Sequence, residues 1–502
     1  MVQIALLAGS RPLAFTLPDN AVALPPPPPP QEHVVDVTAA VRDALGFPLS
    51  GESLAELAHG ARRATIVVEP PALPVPGATR DPRTEALVAV SDELERIGIP
   101  TGFQTILVAA GLARRPGRHE LETLVTPEFA RRFHGLVSVH DAENPGLLDF
   151  GAEEGIPLRI NPALVETDLV VVVAAAESAL HGGPGVLLAA GGPEALRAAQ
   201  DGPSLLETGG SRGWRLGLAL ERVLGRSVPL VGVALALGPP RLGGFARGYP
   251  FDARAVGRIA RSPLRRLLVA IPAPLRWRLL VSSPTEIVAT AIFAGSPSVA
   301  QAEALLAAIE ARATEFTDGL DVLCVPVPDT TLFLPRERPN PLAVAAFGLG
   351  YALRRWRERS PLKPGGAIVL VHGFERRFPH PGQQPYRAFF AAARAGGDAE
   401  SLDRAAEAAR ADPRALALYR NGRSCHPLTP FADWDACRPA IGRAGRVIVA
   451  DCRDAFAARQ LGFVPSHSIA HALELATGGE VGAARIGFVL GPPYPALRPA
   501  AS

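Results

Sequence analysis

A chain of 502 residues is longer than one hydrophobic core ordinarily serves, so two domains are expected. Its 48% hydrophobic content excludes general disorder, and its net charge of +2 excludes the strong basic field that steers proteins to nucleic acid or acidic membranes. Lys363 is the single lysine, and the Arg, Ala, Pro and Gly bias reads as GC-rich coding rather than as a phosphate-binding surface.

The opening MVQIALLAGSRPLAF has a short apolar run without a basic n-region or cleavage site, which predicts a soluble, cytoplasmic protein. The prolines at 25–30 predict an extended spacer, because proline lacks the donor that helix or sheet would use. After it, short β-branched runs (TIVVE, TILVAA, LVSVH, DLVVVVAA) alternate with amphipathic segments such as DPRTEALVAVSDELERIG and TPEFARRFHG. Unbroken apolar runs separated by helices predict a parallel sheet covered on both faces. The alternation resumes with VPLVGVALAL, LDVLCVPV, GAIVLVHG, RVIVAD and RIGFVL.

Between these groups, SPLRRLLVAIPAPLRWRLLVSSP interrupts both periods, which places a boundary near Ser283. Two α/β domains are thus expected, residues 1–283 and 284–502, with mainly parallel sheets and an interlobe cleft as the default ligand site. Ser298 to Thr314 has the apolar spacing of a long helix opening the second domain. Runs such as LVGVALALG are too short to cross a membrane and predict core strands. The four cysteines, Cys324, Cys425, Cys437 and Cys452, lack zinc-ligand spacing and are expected to be free thiols in a reducing compartment.

The order of elements, with IVVEPPALPVP, ILVAAGLAR, INPALVETDLVVV, ESALHGGPG, the KPGGAIVLV step and the closing VPSHSIAHALELA, resembles the lactate racemase family over nearly the whole chain. The resemblance implies two α/β domains holding a nickel-pincer nucleotide, with 2-hydroxy acids racemised by hydride transfer while histidines take and return the hydroxyl proton. The chain departs from that pattern where the chemistry lies. Pro70, Ala72 and Leu73 replace the Asp, Thr and Arg expected ahead of Pro74 and Pro76. In Gly111-Leu112-Ala113-Arg114-Arg115, Ala113 occupies a proton-relay histidine's place, and Ala179 occupies another two residues after Glu177. No tethering lysine follows, no histidine lies near Gln200 or Asp201, and NPLAVAAFGLGYALRRW lacks the polar Tyr-Gln-Lys helix. An alanine cannot accept and return a proton as imidazole does.

Five residues remain as candidates for holding a ligand: Arg114, Glu177, His181, His372 and Glu375. His181 precedes a GGPG turn that can either cradle an anion or simply turn the chain. Arg114 and Arg115 sit at a strand end, where guanidinium forks suit a carboxylate. VHGFERRFPHPGQQ follows a strand and groups His372, Glu375, Arg376, Arg377 and His380, from which a His/Glu pair could form a general base or a plain surface loop. His467 and His471 share a helix face without a third ligand, and the Cys425–His426 neighbourhood has no ligand spacing, so no metal site is expected. GGFARGYP is not a phosphate loop, since it lacks the Gly-Lys-Ser/Thr ending.

The expected function is therefore binding of a small anionic ligand or a partner without the ancestral racemisation, with no catalytic residue assigned and no cofactor expected. Neither nucleic acid nor membrane is an expected partner. Two other readings stay open. One is a 2-hydroxy acid racemase or epimerase, with a nickel-pincer nucleotide or with His181, His372 or His380 as replacement acid and base. The other is an assembly subunit marked by an exposed apolar patch on NPLAVAAFGLGYALRRW.

Overall fold

The computed structural model describes residues 2–70, 81–176, 185–317, 319–330, 337–378, 380–395 and 398–500. Two six-stranded sheets organise them. The first runs, edge to edge, through Ala289–Gly295, Leu230–Leu237, Leu169–Ala175, Ala64–Val68, Gln104–Val108 and Leu136–Val139, with only its first pair antiparallel. The second runs through Val464–Pro465, Arg446–Ala450, Leu362–Val371, Leu320–Pro326, Ile486–Val489 and Ala21–Leu24, all parallel. The mixed α/β class with mainly parallel sheets follows from the sequence pattern. In the first sheet Ile66 pairs with Ile106 and Val171, and all three are buried, as strands covered on both faces require.

The sheets do not divide at Ser283. Ala289–Gly295 completes the first sheet, while Ala21–Leu24 crosses to the edge of the second. The Pro297–Glu310 helix packs against Leu230–Leu237 and Ala289–Gly295, so it covers the first sheet. The periodicity identified the helix; its partner depends on long-range pairing that local spacing does not encode. Residues 25–30 carry no regular structure and link the crossing strand to the Val37–Gly46 helix, which Asp36 caps.

Helix starts follow local chemistry. Asp81 accepts the Arg83 amide ahead of Pro82–Arg96, and proline at the first helical position loses no needed donor. Arg83 is fully buried and ion-paired to Asp81 and Glu69. Burial alone would lower its pKa, but the two carboxylates reverse that and raise it.

The segment Pro341–Arg354 does not form an exposed patch: each of its residues is buried. It runs from a short helix capped by Asn340 into a π-helical stretch at Ala346–Tyr351, packed on the Thr429–Arg443 helix. A Cβ at Gly348 would stand 2.7 Å from a Leu370 methyl, so glycine permits this approach to the second sheet. The apolar composition of this segment thus serves core packing. One apolar cluster joins it to Val67 and Leu107 of the first sheet and to Leu323 and Val325 of the second. Among the described residues, no helix is long and apolar enough to cross a membrane.

Candidate functional site

A tight antiparallel hairpin, Gln3–Ala8 with Arg11–Thr16, seats its turn at the carboxyl end of the second sheet. There the Gly9 amide donates to Val327 O at 2.7 Å. Gly9 has φ +61°, and a Cβ would stand 3.0 Å from the Asp329 carboxylate, so glycine is required on both counts. The turn delivers Ser10 and Arg11 to a cavity of about 50 Å³ whose other walls follow three neighbouring strands. Asp329 follows Leu320–Pro326, His372 and Glu375 follow Leu362–Val371, and Asp451 and Arg453 follow Arg446–Ala450. Open α/β sheets place ligands at this end of their strands.

His372 is held at both ring nitrogens. Its Nδ1 lies 3.0 Å from the Phe374 amide, which can only donate, so the ring proton resides on Nε2 and points to Asp329 Oδ1 at 3.0 Å. Burial raises the Asp329 pKa, but the His372 hydrogen bond, with the charge of Arg338 and a hydrogen bond from Ser10, outweighs it and leaves the group below its usual value. The carboxylate orienting His372 is therefore Asp329 and not Glu375. Glu375 instead binds Arg453 at 3.0 Å and Arg377 at 3.2 Å.

Five arginines, Arg11, Arg276, Arg338, Arg377 and Arg453, face three carboxylates around the cavity. Arg11 pairs with Asp451. Arg276 and Arg338 make no ion pair with any described residue. Arg276 is buried; its Nε reaches Ser10 Oγ at 3.2 Å and its Nη1 holds the carbonyls of Leu268, Val269 and Ile271. Burial first, then the neighbouring Arg11 charge, depresses its pKa. The Nε of Arg338 is buried without a hydrogen-bond partner. Phe374 and Asp451, beside the cavity, hold φ of 25° and 62°, where non-glycine residues are strained.

The other candidates lie elsewhere. Arg114 is clamped between Glu120 and Glu337, the latter at 3.0 Å, and those carboxylates raise its pKa despite opposing burial. It has no open fork for an external carboxylate. Arg115 donates to the carbonyls of Arg420 and Val139 at 2.6 and 2.8 Å. His380 accepts the Gly382 amide at Nδ1, 3.0 Å away, and caps the Pro381–Gln383 turn. Glu177 and His181 lie outside the described residues. His471, in the Ile469–Thr477 helix, stacks on His467 with ring centroids 4.6 Å apart. The four cysteines are free.

Sequence reading missed Ser10, Arg11, Arg276, Arg338, Asp329, Asp451 and Arg453. Only the hairpin had a local signal, Gly-Ser between two apolar runs. The strand-end positions of Asp329 and Asp451 were visible, but nothing local joined them to an arginine fifty or more residues away.

The described residues do not fit the nickel-pincer nucleotide that the resemblance implies. Ala113 offers only a methyl, 7% exposed, and its neighbour Leu112 holds His426 and Thr429 through its carbonyl. Lys363 stands at the amino end of its strand, 2.6 Å from Asp321, away from the carboxyl-end cavity. Among the described residues no group of three His, Cys, Asp or Glu side chains is placed to hold a metal ion.

Residues 8–183 match the family described as the lactate racemase N-terminal domain. Among solved structures, the chain is similar to the lactate racemase apoprotein from Thermoanaerobacterium thermosaccharolyticum, at 16% identity and a TM-score of 0.57, with 97% of each chain covered. It is also similar to a protein from Thermotoga maritima, at 12% identity and a TM-score of 0.50, over 92% of this chain and 97% of that one. At these identities the structural likeness establishes the fold. No curated protein matches the sequence.

Proposed function

We propose that the chain, whose residues 8–183 match the lactate racemase N-terminal domain and which carries that fold, is a diverged member that binds a small anion at the carboxyl end of the second sheet without racemising it. The observation that carries this reading is the pair of arginines, Arg276 and Arg338, that line the cavity beside Asp329 and make no ion pair with a described residue. A carboxylate or phosphate would complete them with charge-assisted hydrogen bonds. A volume of about 50 Å³ suits such a group, since one water needs roughly 10–15 Å³.

The absence of racemisation rests on proton chemistry. A base must offer a free lone pair within hydrogen-bond reach of the substrate proton. At His372 one nitrogen accepts the Phe374 amide and the other donates to Asp329. His380 is similarly occupied at Nδ1 by its turn. Ala113 stands where the family resemblance expects the relay histidine.

Calorimetric titration with acetate, L-lactate and inorganic phosphate tests the reading. Saturable binding by wild type that falls at least tenfold in Arg338→Gln supports it. Equal binding by both proteins, or none by wild type, overturns it.

A further inference from the structure

Against the expectation drawn from the net charge of the whole chain, we infer that the helical pair Pro263–Ala270 and Ala273–Val281 docks the protein onto anionic phospholipid surfaces. The segment from Arg241 to Pro284 contains nine arginines and one carboxylate, Asp252, within a chain whose net charge is only +2. Six of these arginines, Arg247, Arg254, Arg258, Arg261, Arg266 and Arg278, are exposed. None of the nine makes an ion pair with a described residue. Elsewhere surface arginines commonly meet carboxylates, as Arg132 meets Asp92 and Arg215 meets Glu154. The charge here is left for something outside the chain.

Apolar side chains share the same two helices. Leu264 and Leu267, three residues apart on the first helix, are 54% and 63% exposed. Leu275 and Leu279, four apart on the second, are each 51% exposed. Those spacings put each pair on one helix face. Arg276 Nη1 ties the second helix to the last carbonyls of the first, so the leucines are presented by one braced unit.

Beneath the pair lies an apolar chamber of about 290 Å³ lined by Leu242, Phe245, Ile259, Leu268, Leu279 and Leu280. Leu279 both lines it and reaches the surface, so one of the exposed leucines borders the chamber. Basic side chains around protruding leucines match the interface of an anionic bilayer, where guanidinium groups meet phosphates and apolar side chains enter the acyl boundary. The chamber has room for an acyl segment. An acidic protein would satisfy the arginines but gives no reason for leucines on both helices and an apolar chamber. Helices of eight and nine residues are too short to span, so they lie in the membrane plane.

Cosedimentation of the full chain with phosphatidylcholine vesicles, with and without added phosphatidylglycerol, tests this. Binding is expected only with phosphatidylglycerol, is weakened by salt, and falls by about tenfold or more in Arg266→Glu/Arg278→Glu. Leu264→Ser/Leu267→Ser should weaken it independently. Unchanged circular dichroism and thermal midpoints will establish that both variants fold. Failure of wild type to bind the anionic vesicles overturns the inference, as does binding that neither variant alters. Binding to polyglutamate but not to vesicles would assign an acidic protein partner instead and would likewise overturn it.

Discussion

His372 donates from Nε2 to Asp329 Oδ1 at 3.0 Å, and this pair forms one wall of a cavity whose remaining charge is mainly arginine. Asp329 therefore orients the imidazole and also opposes an incoming anion. Asp329→Asn preserves the acceptor oxygen while deleting the negative charge. We predict that this variant binds phosphate several-fold more tightly than wild type, measured by calorimetry, since one unit charge a few ångströms away is worth about 1 kcal/mol even in water. Weaker binding would mean that Asp329 itself contacts the ligand.

A second prediction concerns pH. Asp433, the acceptor of the Tyr386 hydroxyl at 2.5 Å, is raised by desolvation from 3.8 to about 7. Between those values the unfolded chain has released the proton that the folded chain retains, so stability falls as pH rises from about 4 to about 7 and is level above that. Asp433→Asn keeps a neutral acceptor and should flatten this slope. Its unfolding free energy should match wild type near pH 4 and exceed it at pH 8, by a few kcal/mol at most given about 1.4 kcal/mol per unit. Parallel pH profiles for the two proteins would contradict the assignment.

The family-like loop supplies a third. Ala113 is 7% exposed in the packed turn after Gln104–Val108. Ala113→His should not restore proton relay and should destabilise the fold by roughly 1–3 kcal/mol through overpacking. Thermal unfolding measures the cost; an unchanged midpoint would show that the turn still has room for a ring.

The buried charge cluster at Arg83 gives a fourth. Arg83→Ala leaves Asp81 and Glu69 without their guanidinium and should cost about 3–5 kcal/mol in urea unfolding. A loss below 1 kcal/mol would mean that water replaces the guanidinium readily.

The strands were legible because parallel, doubly covered sheets demand unbroken runs such as Leu169–Ala175, and such runs have few other uses. Their assortment between sheets was not. Ala21–Leu24 and Ala289–Gly295 each join the sheet farther from them in sequence, and hydrophobic spacing looks the same whichever sheet a strand joins. The position of two candidate residues was legible: His372 and Glu375 line a cavity because a polar cluster after a buried strand emerges at the sheet's carboxyl end. Arg114 shows the limit of that argument. A strand-end arginine reads the same whether its carboxylates come from a ligand or from Glu120 and Glu337, and only the fold brings Glu337 to it. Arg276 was masked by the abundance of arginine around it.

The most direct test is proton NMR of L-lactate with the protein, purified after co-expression with the enzymes that make the pincer nucleotide. The account predicts broadening of the lactate signals that disappears in Arg338→Gln, with no D-lactate after prolonged incubation while a verified racemase converts the same sample. Sustained formation of D-lactate by this chain, or lactate signals that wild type leaves sharp, would contradict it.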